Sequence, residues 1–357
     1  MRHATAGVVG FGLLTACLAT AACERSTTTP AVPPTSAAAA YSPSAPAYAV
    51  TGRIAAPANR WDYASFDPVR RRLYVAAGQN VLTVDVDGGA VNGAFAKGVK
   101  LHSAFALPGG ATVVTTNGDA NNAELIDAGT GAVLATVPTG TKPDAAIFDP
   151  SSGLVLVMNG HSGDVTLIDP AAKKSVGTIA VGGALEFAAA DGAGKAFVNV
   201  EDKNQIAVLD IAARKVVARY PLKGCQGPTG LAYDKPNDLL ISACANGVAK
   251  VVRGASGAEI ATLAIGKDPD AVIYDKSRSR AFIPCGGDGV LEVVAMRGPS
   301  DVAIVQSLAT QKSARSGAVD EKTGRLYLPT AKFGPAQGGE DGPMIPGSFE
   351  ILVVGPK

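Results

Sequence analysis

The sequence predicts an all-β fold, a seven-bladed β-propeller of four-stranded blades that is closed by an N-terminal strand completing the last blade. Three observations predict it. A unit of about 42 residues repeats from Tyr48 onward, which is the period of one propeller blade. Every unit carries short apolar runs rich in β-branched residues, which are typical of strands. Turn-forming residues separate these runs at regular intervals.

An Asp at the end of the first strand marks six of the seven repeats. Successive members of this set are separated by 82, 42, 43, 41 and 45 residues, so the first gap equals two periods. The remaining unit has Pro108-Gly109-Gly110, another turn former, at the corresponding place. The marker residues are Asp67, Asp149, Asp191, Asp234, Asp275 and Asp320.

Third strands also end in Asp in four of the units, followed by small or turn-forming residues. We expect these side chains to accept hydrogen bonds from the backbone of the following turn. They are Asp85, Asp127, Asp169 and Asp210. The seventh unit ends at Val353 without a fourth strand, and the unassigned strand Tyr48–Ile54 can supply it, which would close the ring and protect the sheet edges.

Composition limits the classes of function. Hydrophobic residues make up 47% and charged residues 18% of 357, which allows a large core. The chain has 32 basic and 31 acidic residues, and the resulting net charge of +1 does not favour nucleic-acid binding. We expect a monomer without nucleic acid as a partner.

The N-terminus has the features of an export signal. A short positive start precedes 13 apolar residues, a length that suits a secretory signal and is too short to span a membrane. Leu14-Thr15-Ala16-Cys17 is similar to a bacterial lipobox, with Cys23 as an alternative acylation site and plain secretion as a third reading. We expect a signal region at 1–23, a Pro/Ala/Ser/Thr-rich linker at 24–47 and the propeller at 48–357. A lipid at Cys17 would tether the protein to a membrane in the periplasm or at the cell surface.

Two segments resemble a known family. VMNGHSGDVTLID at 157–169 resembles the YVTN repeat, and RLYLPTAKFG at 325–334 with FEILVVG at 349–355 is similar to YncE-like bacterial β-propellers. The resemblance covers about residues 48 to 357. It implies the propeller fold and secretion, and no particular activity, because the family's members are mostly uncharacterised binding or surface proteins.

The channel mouth is the candidate site. First strands line the channel of a propeller, and the residue five before each turn marker is polar or charged in every unit. Such a ring could bind a polar ligand, or a divalent cation such as Ca²⁺ through carboxylate oxygens; a hydrated mouth without a ligand is the alternative. The ring comprises Asp62, Ser103, Asp144, Glu186, Thr229, Asp270 and Arg315. The long segment 333–347 lies on the same face and could form a lid or simply pack on the rim.

Cysteine and histidine give weaker signals. Cys225 and Cys244 lie at the same end of one hairpin and predict a disulfide, with Cys244–Cys285 as the rival pairing. We expect no structural metal and no cofactor, because the sequence lacks clustered Cys and His ligands. His102 and His161 could act as bases, but a role as surface loop residues is the simpler interpretation.

Two functions follow. The first is a non-catalytic scaffold of the cell envelope that binds a protein or a small polar ligand, favoured because no nucleophile–base pair emerges. The alternative is a cation-dependent hydrolase of lactones or esters, with Asp144, Glu186 and Asp270 holding the metal. A haem-binding or electron-transfer propeller ranks last, since the sequence contains no Cys-x-x-Cys-His.

Overall fold

Strands make up nearly all of the regular structure. The computed structural model describes residues 47–335 and 342–357. Within these ranges the chain forms twenty-six strands and one short 3-10 helix at Glu201–Lys203. The predicted signal region, the linker up to residue 46 and the acylation sites Cys17 and Cys23 lie outside the described residues. No helix in the described ranges has the length and apolar character that crossing a membrane requires.

The strands form six antiparallel sheets. The first has six strands, β2 (Ala64–Asp67), β3 (Arg72–Asp85), β4 (Val91–Ala106), β5 (Thr112–Asn117), β6 (Asn122–Asp127) and β7 (Val133–Pro138). The second has β8 (Pro143–Asp149), β9 (Leu154–Asn159), β10 (Asp164–Asp169) and β11 (Lys174–Ala180). The third has β12 (Leu185–Ala190), β13 (Lys195–Val200), β14 (Gln205–Asp210) and β15 (Lys215–Pro221).

The other three sheets have four strands each. The fourth has β16 (Pro228–Asp234), β17 (Leu239–Cys244), β18 (Val248–Arg253) and β19 (Glu259–Ala264). The fifth has β20 (Ile273–Asp275), β21 (Arg280–Cys285), β22 (Val290–Gly298) and β23 (Asp301–Ala309). The sixth has β24 (Ala318–Asp320), β25 (Arg325–Thr330), β26 (Glu350–Pro356) and β1 (Tyr48–Ala55).

The sheets surround a central channel. Its lining strands contact one another in the order β2, β4, β8, β12, β16, β20 and β24, and β24 contacts β2, which closes the ring. Counting each hydrogen-bonded sheet as one blade, the propeller has six blades, so the prediction of seven four-stranded blades is wrong.

The difference arises between the first two sequence units, which share one sheet and place two strands, β2 and β4, in the inner ring. β3 continues without a break through Gly78, and β4 continues through Lys100. Gly78 pairs with Leu101 and Asn80 pairs with Lys97, so the middle of β3 and the middle of β4 pair with each other. The ladder therefore continues from one unit into the next, with β-bulges between Gly78 and Asn80 and between Val81 and Thr83.

The predicted closure by the N-terminal strand is confirmed. β1 pairs with β26 in antiparallel register from Tyr48↔Pro356 to Ala55↔Glu350. Tyr48 is 2% exposed, and its ring lies 5.0 Å from that of Phe282 in the preceding sheet. Gln306 also accepts a hydrogen bond from the backbone N–H of Tyr48 at 2.8 Å and donates one to its carbonyl oxygen at 2.8 Å. The two ends of the propeller are thereby joined in one sheet.

The hydrophobic core lies between neighbouring sheets. Leu156 and Val165 of the second sheet, for example, pack with Val198 and Leu209 of the third, and all four are fully buried. Successive side chains of a strand point to opposite faces of its sheet. Both faces carry apolar side chains, because each sheet packs between two neighbouring sheets. Burying one side chain of this size stabilises the fold by about 1.5–3 kcal/mol.

Aspartates cap the turns as predicted. Asp67 Oδ1 accepts a hydrogen bond from Val69 N at 2.8 Å, and Asp127 Oδ1 accepts one from Thr130 N at 2.8 Å. The same arrangement recurs at the other third-strand aspartates, Asp85, Asp169 and Asp210. These carboxylates are structural, since each is engaged by the backbone of its own turn.

Candidate functional site

The seven predicted ring residues occur at equivalent places in the inner strands. Six of them lie at the start of an inner strand or just before one, and Ser103 lies in the last part of the long strand β4, the part that pairs with β5. In β8, β12 and β16 the ladder is interrupted where the ring residue sits, between Pro143 and Ala146, Leu185 and Ala188, and Pro228 and Leu231. Such irregularities redirect side chains out of the regular pleat. The ring residues of β8, β12 and β16 therefore lie outside the regular pairing with the next strand.

His102 joins two of the ring carboxylates. Its Nδ1 lies 2.8 Å from Asp62 Oδ2 and 3.1 Å from Asp144 Oδ1. The imidazole is only 6% exposed. Burial lowers the pKa of His102, but the hydrogen bond with Asp62 and the charges of Asp144 and Asp62 outweigh it, so the net pKa is raised. The expectation that His102 is a surface loop residue is wrong, because β4 carries it into the channel wall, whereas His161 is exposed in a loop as expected.

Glu186 lies beside Tyr63. The phenol of Tyr63 donates to Glu186 Oε2 at 3.5 Å. Burial, reinforced by the charges of Asp144, Asp270, Glu201 and Asp62, raises the pKa of Glu186 to about 9. The Glu186 carboxyl is therefore protonated at neutral pH.

Asp270 forms an ion pair with Arg315. Asp270 Oδ2 lies 3.1 Å from Arg315 Nε. Burial and the charge of Asp62 raise the pKa of Asp270 to about 7, although Arg315 opposes this rise. Burial and the charge of Asp62 likewise raise the pKa of Asp144 to about 6.

These carboxyl groups act on one another and form a single site, which we call the acidic cluster. Its members are Asp62, Asp144, Glu186, Asp270 and Glu201. The pKa of Tyr63 is raised well above its usual value by burial first and then by the charges of four of these acids, which places its ring among them. Glu201, in the short 3-10 helix, is added by the structure.

Two ring residues are engaged elsewhere. Thr229 Oγ1 donates to the carbonyl of Pro269 at 2.7 Å. Ser103 is buried, and its backbone N–H donates to Thr116 Oγ1 at 3.0 Å. The structure therefore brings together Asp62, Asp144, Glu186, Asp270 and Arg315 and leaves Ser103 and Thr229 in the wall. A ligand-binding role for any of the seven stays a prediction.

Tyr63 is not among the predicted ring residues, although the sequence carries a signal for it. Most residues that directly follow a ring position are small, such as Ala104, Ala145 and Ala271. Tyr63 and Phe187 are the two bulky exceptions, and their rings pack 5.1 Å apart. Phe187 also lines an apolar pocket of about 530 Å³ at the end of the channel that carries the turn aspartates. The aromatic pair thus lies between the acidic cluster and that apolar end.

The cysteine prediction is confirmed for the preferred pair. Cys225 and Cys244 form a disulfide with a Cα–Cα distance of 5.5 Å. Cys285 is free and buried. Burial, followed by the charge of Glu292, raises the pKa of the Cys285 thiol to about 12, so the thiol is protonated and poorly nucleophilic at neutral pH.

Asp62, His102 and Asp144 have the composition of a metal-ligand set. One donor atom from each lies within 4.8 Å of the others. Two carboxylate oxygens and an imidazole nitrogen are donors that divalent cations accept. Because Nδ1 of His102 already contacts both carboxylates, a cation there would have to displace the proton on Nδ1.

Comparisons with known proteins support the fold. No protein-family model matches the chain, and no curated protein matches it. A chain in the crystal structure of the mitotic checkpoint complex superposes with a TM-score of 0.70 at 14% identity, over 96% of this chain and 99% of that one. A chain of the hydrazine synthase of Kuenenia stuttgartiensis gives a TM-score of 0.68 at 15% identity, over 77% of this chain and 94% of that one. At such identities the likeness shows the β-propeller fold alone.

Proposed function

We propose that the protein is a non-catalytic binding scaffold of the cell envelope, exported and held to a membrane by a lipid on Cys17, which takes a small cationic ligand at the acidic cluster. The β-propeller fold fits a binding role, and it does not define the ligand. The ligand class follows from the electrostatics of the channel mouth.

The observation that carries the proposal is the convergence of carboxyl groups whose pKa values are raised to about 6, 7 and 9, at Asp144, Asp270 and Glu186. Like charges held together in a partly dry site keep protons that they would otherwise release. A ligand with positive charge removes that repulsion. Binding is therefore favoured most for a cation, which replaces protons in the cluster.

The charges already near the cluster do not neutralise it. Arg315 pairs with Asp270, and His102 contacts Asp62 and Asp144. Glu186 accepts a hydrogen bond from the neutral phenol of Tyr63. A divalent ion or an ammonium group beside Glu186 and Asp144 would supply the missing positive charge.

Isothermal titration calorimetry of the folded chain with CaCl₂, MgCl₂ and spermidine tests the proposal. Titrations in two buffers of different ionisation enthalpy give the number of protons released. We expect saturable binding at pH 7 with release of about one proton, because Glu186 and part of the Asp270 population must ionise. Binding without proton release would contradict the assignment to this cluster.

A pair of matched variants locates the site. Asp144→Asn/Glu186→Gln/Asp270→Asn should abolish binding. Asp87→Asn/Asp301→Asn/Glu321→Gln removes three acidic groups from turns at the opposite end of the propeller and should leave binding unchanged. Those three side chains form exposed or partly exposed ion pairs, which contribute little to stability. Equal loss in both variants would show that only the overall charge matters, and no saturable binding of any probe to the parent chain would contradict the proposal.

Export and acylation are tested separately. The buried Cys225–Cys244 disulfide supports an oxidising compartment, where such bonds persist. Cells that express the full chain and are fed an alkynyl palmitate should label the protein. Cys17→Ser should remove the label, whereas Cys23→Ser should retain it. Label that disappears only in Cys23→Ser would move the anchor to that residue.

One observation favours a second candidate, the cation-dependent hydrolase. Asp62, His102 and Asp144 offer donor atoms within 4.8 Å of one another, and a cation there could activate water. Hydrolysis of γ-lactones and aryl esters should then require a divalent ion and should be lost in His102→Gln. Cation binding without turnover of either substrate class would leave the scaffold function.

A further inference from the structure

We propose that a basic pocket on the rim of the channel binds a small organic anion that carries a phosphate group or two carboxylates. The pocket has a volume of about 820 Å³ and is lined by Arg60, Trp61, Lys312, Arg315 and Lys332, among others. That volume is in the range of sites for small ligands up to the size of a nucleotide. None of the acidic-cluster carboxylates lines it, and the contact between the two sites is the ion pair of Arg315 with Asp270.

The charge of the pocket is one-sided. Among the residues that the structure describes, four basic side chains line it, and Asp268 is the single acidic one. Within the described ranges Arg60, Lys312 and Lys332 have no ion-pair partner within 4.0 Å, and Arg315 Nε contacts Asp270 Oδ2 at 3.1 Å. Since the whole chain has a net charge of +1, this concentration of positive charge is local. Clefts lined by one sign of charge focus the field and attract ions of the opposite sign.

The pocket walls are held in place by hydrogen bonds. Ser313 Oγ donates to the carbonyl of Ala331 at 2.9 Å, and Thr330 Oγ1 donates to the carbonyl of Lys312 at 3.0 Å. These bonds join the segment before β24 to the end of β25. Gly286 closes a third side: a Cβ there would lie 2.9 Å from Arg315 Cβ, so only glycine permits this approach. The backbone segments that carry the basic side chains are therefore held in place by hydrogen bonds and close packing.

The floor of the pocket is apolar. Trp61 is 7% exposed and packs 5.2 Å from Phe349 and 6.1 Å from Phe333, ring centre to ring centre. Phe333 lines the pocket beside Trp61. A ligand with a carbon skeleton can rest on this floor while its anionic oxygens reach the basic rim. Guanidinium groups at Arg60 and Arg315 suit the paired oxygens of a phosphate or a carboxylate.

Trp61 is the single tryptophan of the chain, so its fluorescence reports on this pocket. The folded chain is titrated with sodium pyrophosphate and with sodium citrate at low and at 0.5 M NaCl. We expect a saturable change in Trp61 emission with at least one of them, and weaker binding at high salt, because added ions screen exposed charges. No saturable change with either probe up to about 10 mM, the weak end of the affinity scale, would overturn the proposal.

Two charge-matched variants decide whether the pocket is the site. Arg60→Gln/Lys312→Gln/Lys332→Gln should weaken binding at least about tenfold, since each removed contact is a charged one. Lys174→Gln/Lys195→Gln/Arg214→Gln changes the net charge equally on exposed positions outside the pocket and should alter binding less than about twofold. Equal weakening in both variants would overturn the proposal. All six side chains are exposed, so both variants should keep the parent's Tm, which the same samples report.

Discussion

His102 Nδ1 lies 2.8 Å from Asp62 Oδ2 in a part of the channel wall where His102 is only 6% exposed. The same nitrogen is 3.1 Å from Asp144 Oδ1, so one imidazole serves two carboxylates. The three side chains come from the segment before β2, from β4 and from β8. The contact therefore links separate inner strands at the mouth of the channel, and its strength depends on the charge of the imidazole.

Replacing His102 should destabilise the protein in a pH-dependent way. The pKa of His102 is raised in the folded state, so its stabilising contribution is complete below the unfolded value of about 6.5 and is lost as the pH rises through the folded pKa. We expect His102→Gln to lower the free energy of unfolding by about 2–4 kcal/mol at pH 5.5 and by less at pH 9. Urea denaturation at the two pH values measures this.

The exposed His161 supplies the control for that experiment. His161→Gln should change the free energy of unfolding by less than about 0.5 kcal/mol at either pH, as for other surface substitutions. An equal effect of His102→Gln at pH 5.5 and pH 9 would show that His102 contributes through packing and not through charge.

The carboxyl groups of the acidic cluster should make the protein less stable as the pH rises. The pKa values of Asp144, Asp270 and Glu186 are about 6, 7 and 9, all above their ordinary values. The folded protein thus retains protons that the unfolded chain releases above about pH 4. By linkage, the contribution of these three groups to the free energy of unfolding is greatest below that pH and falls progressively until about pH 9.

Glu186→Gln should therefore stabilise the protein under alkaline conditions. At pH 8.5 we expect a gain of at least about 1 kcal/mol in the free energy of unfolding, since one pKa unit corresponds to about 1.4 kcal/mol. At pH 4 the gain should shrink to about 0.2 kcal/mol, because Glu186 is protonated in the folded state and mostly protonated in the unfolded chain. Glu321→Gln, in a partly exposed ion pair, is the control and should show neither effect. A loss of stability at pH 8.5 would mean that the Glu186 carboxylate is stabilised by a contact to positive charge.

The sequence predicted the strand pattern well because each unit contains the local signals for its own strands and turns. Alternating apolar residues, turn glycines and Asp caps lie within a few residues of one another in every unit. The joining of the first two units in one sheet was not predicted. It depends on pairing between the middle parts of β3 and β4, where Gly78 pairs with Leu101 and Asn80 pairs with Lys97. No local feature of either segment specifies that pairing.

The candidate site was predicted in part for a related reason. Equal spacing from the turn markers located Asp62, Asp144, Glu186 and Asp270, since repeats place equivalent residues at equivalent points of the ring. Burial of His102 was not predictable in the same way, because it depends on two carboxylates that come from other strands. The basic pocket was missed because its basic residues other than Arg315 lie at positions that do not recur between units, such as Arg60 and Lys332.

Removing the disulfide should cost stability without changing the fold. Cys225 and Cys244 are 19 residues apart, and a loop of that length corresponds to about 3 kcal/mol in the chain-entropy model. Cys225→Ser/Cys244→Ser should lower the free energy of unfolding by about that amount, as measured by urea denaturation. Reduction of the parent chain with dithiothreitol should reproduce the loss, and a stability unaffected by both would contradict the prediction.

Cys285 should stay unreactive in the folded protein. Its thiol is buried and its pKa is raised to about 12, so almost no thiolate forms at pH 8. In a chain that carries Cys17→Ser and Cys23→Ser, we expect less than about 0.1 equivalent of reaction with 5,5′-dithiobis(2-nitrobenzoic acid) in the native state and one equivalent in 6 M guanidinium chloride. Rapid reaction of the native protein would show that the strand carrying Cys285 opens readily.

The strand that closes the ring should depend on the Tyr48 ring and not on its hydroxyl. The ring packs 5.0 Å from Phe282, and the hydroxyl oxygen is buried with no hydrogen-bond partner among the described residues. Tyr48→Ala should therefore lower the free energy of unfolding by about 3–5 kcal/mol, because it leaves a cavity in the last sheet. Tyr48→Phe keeps the ring and removes an unpaired polar group, so it should be neutral or slightly stabilising. Urea denaturation of the two variants separates the contributions, and a loss of more than about 1 kcal/mol in Tyr48→Phe would show that the hydroxyl has a partner in solution.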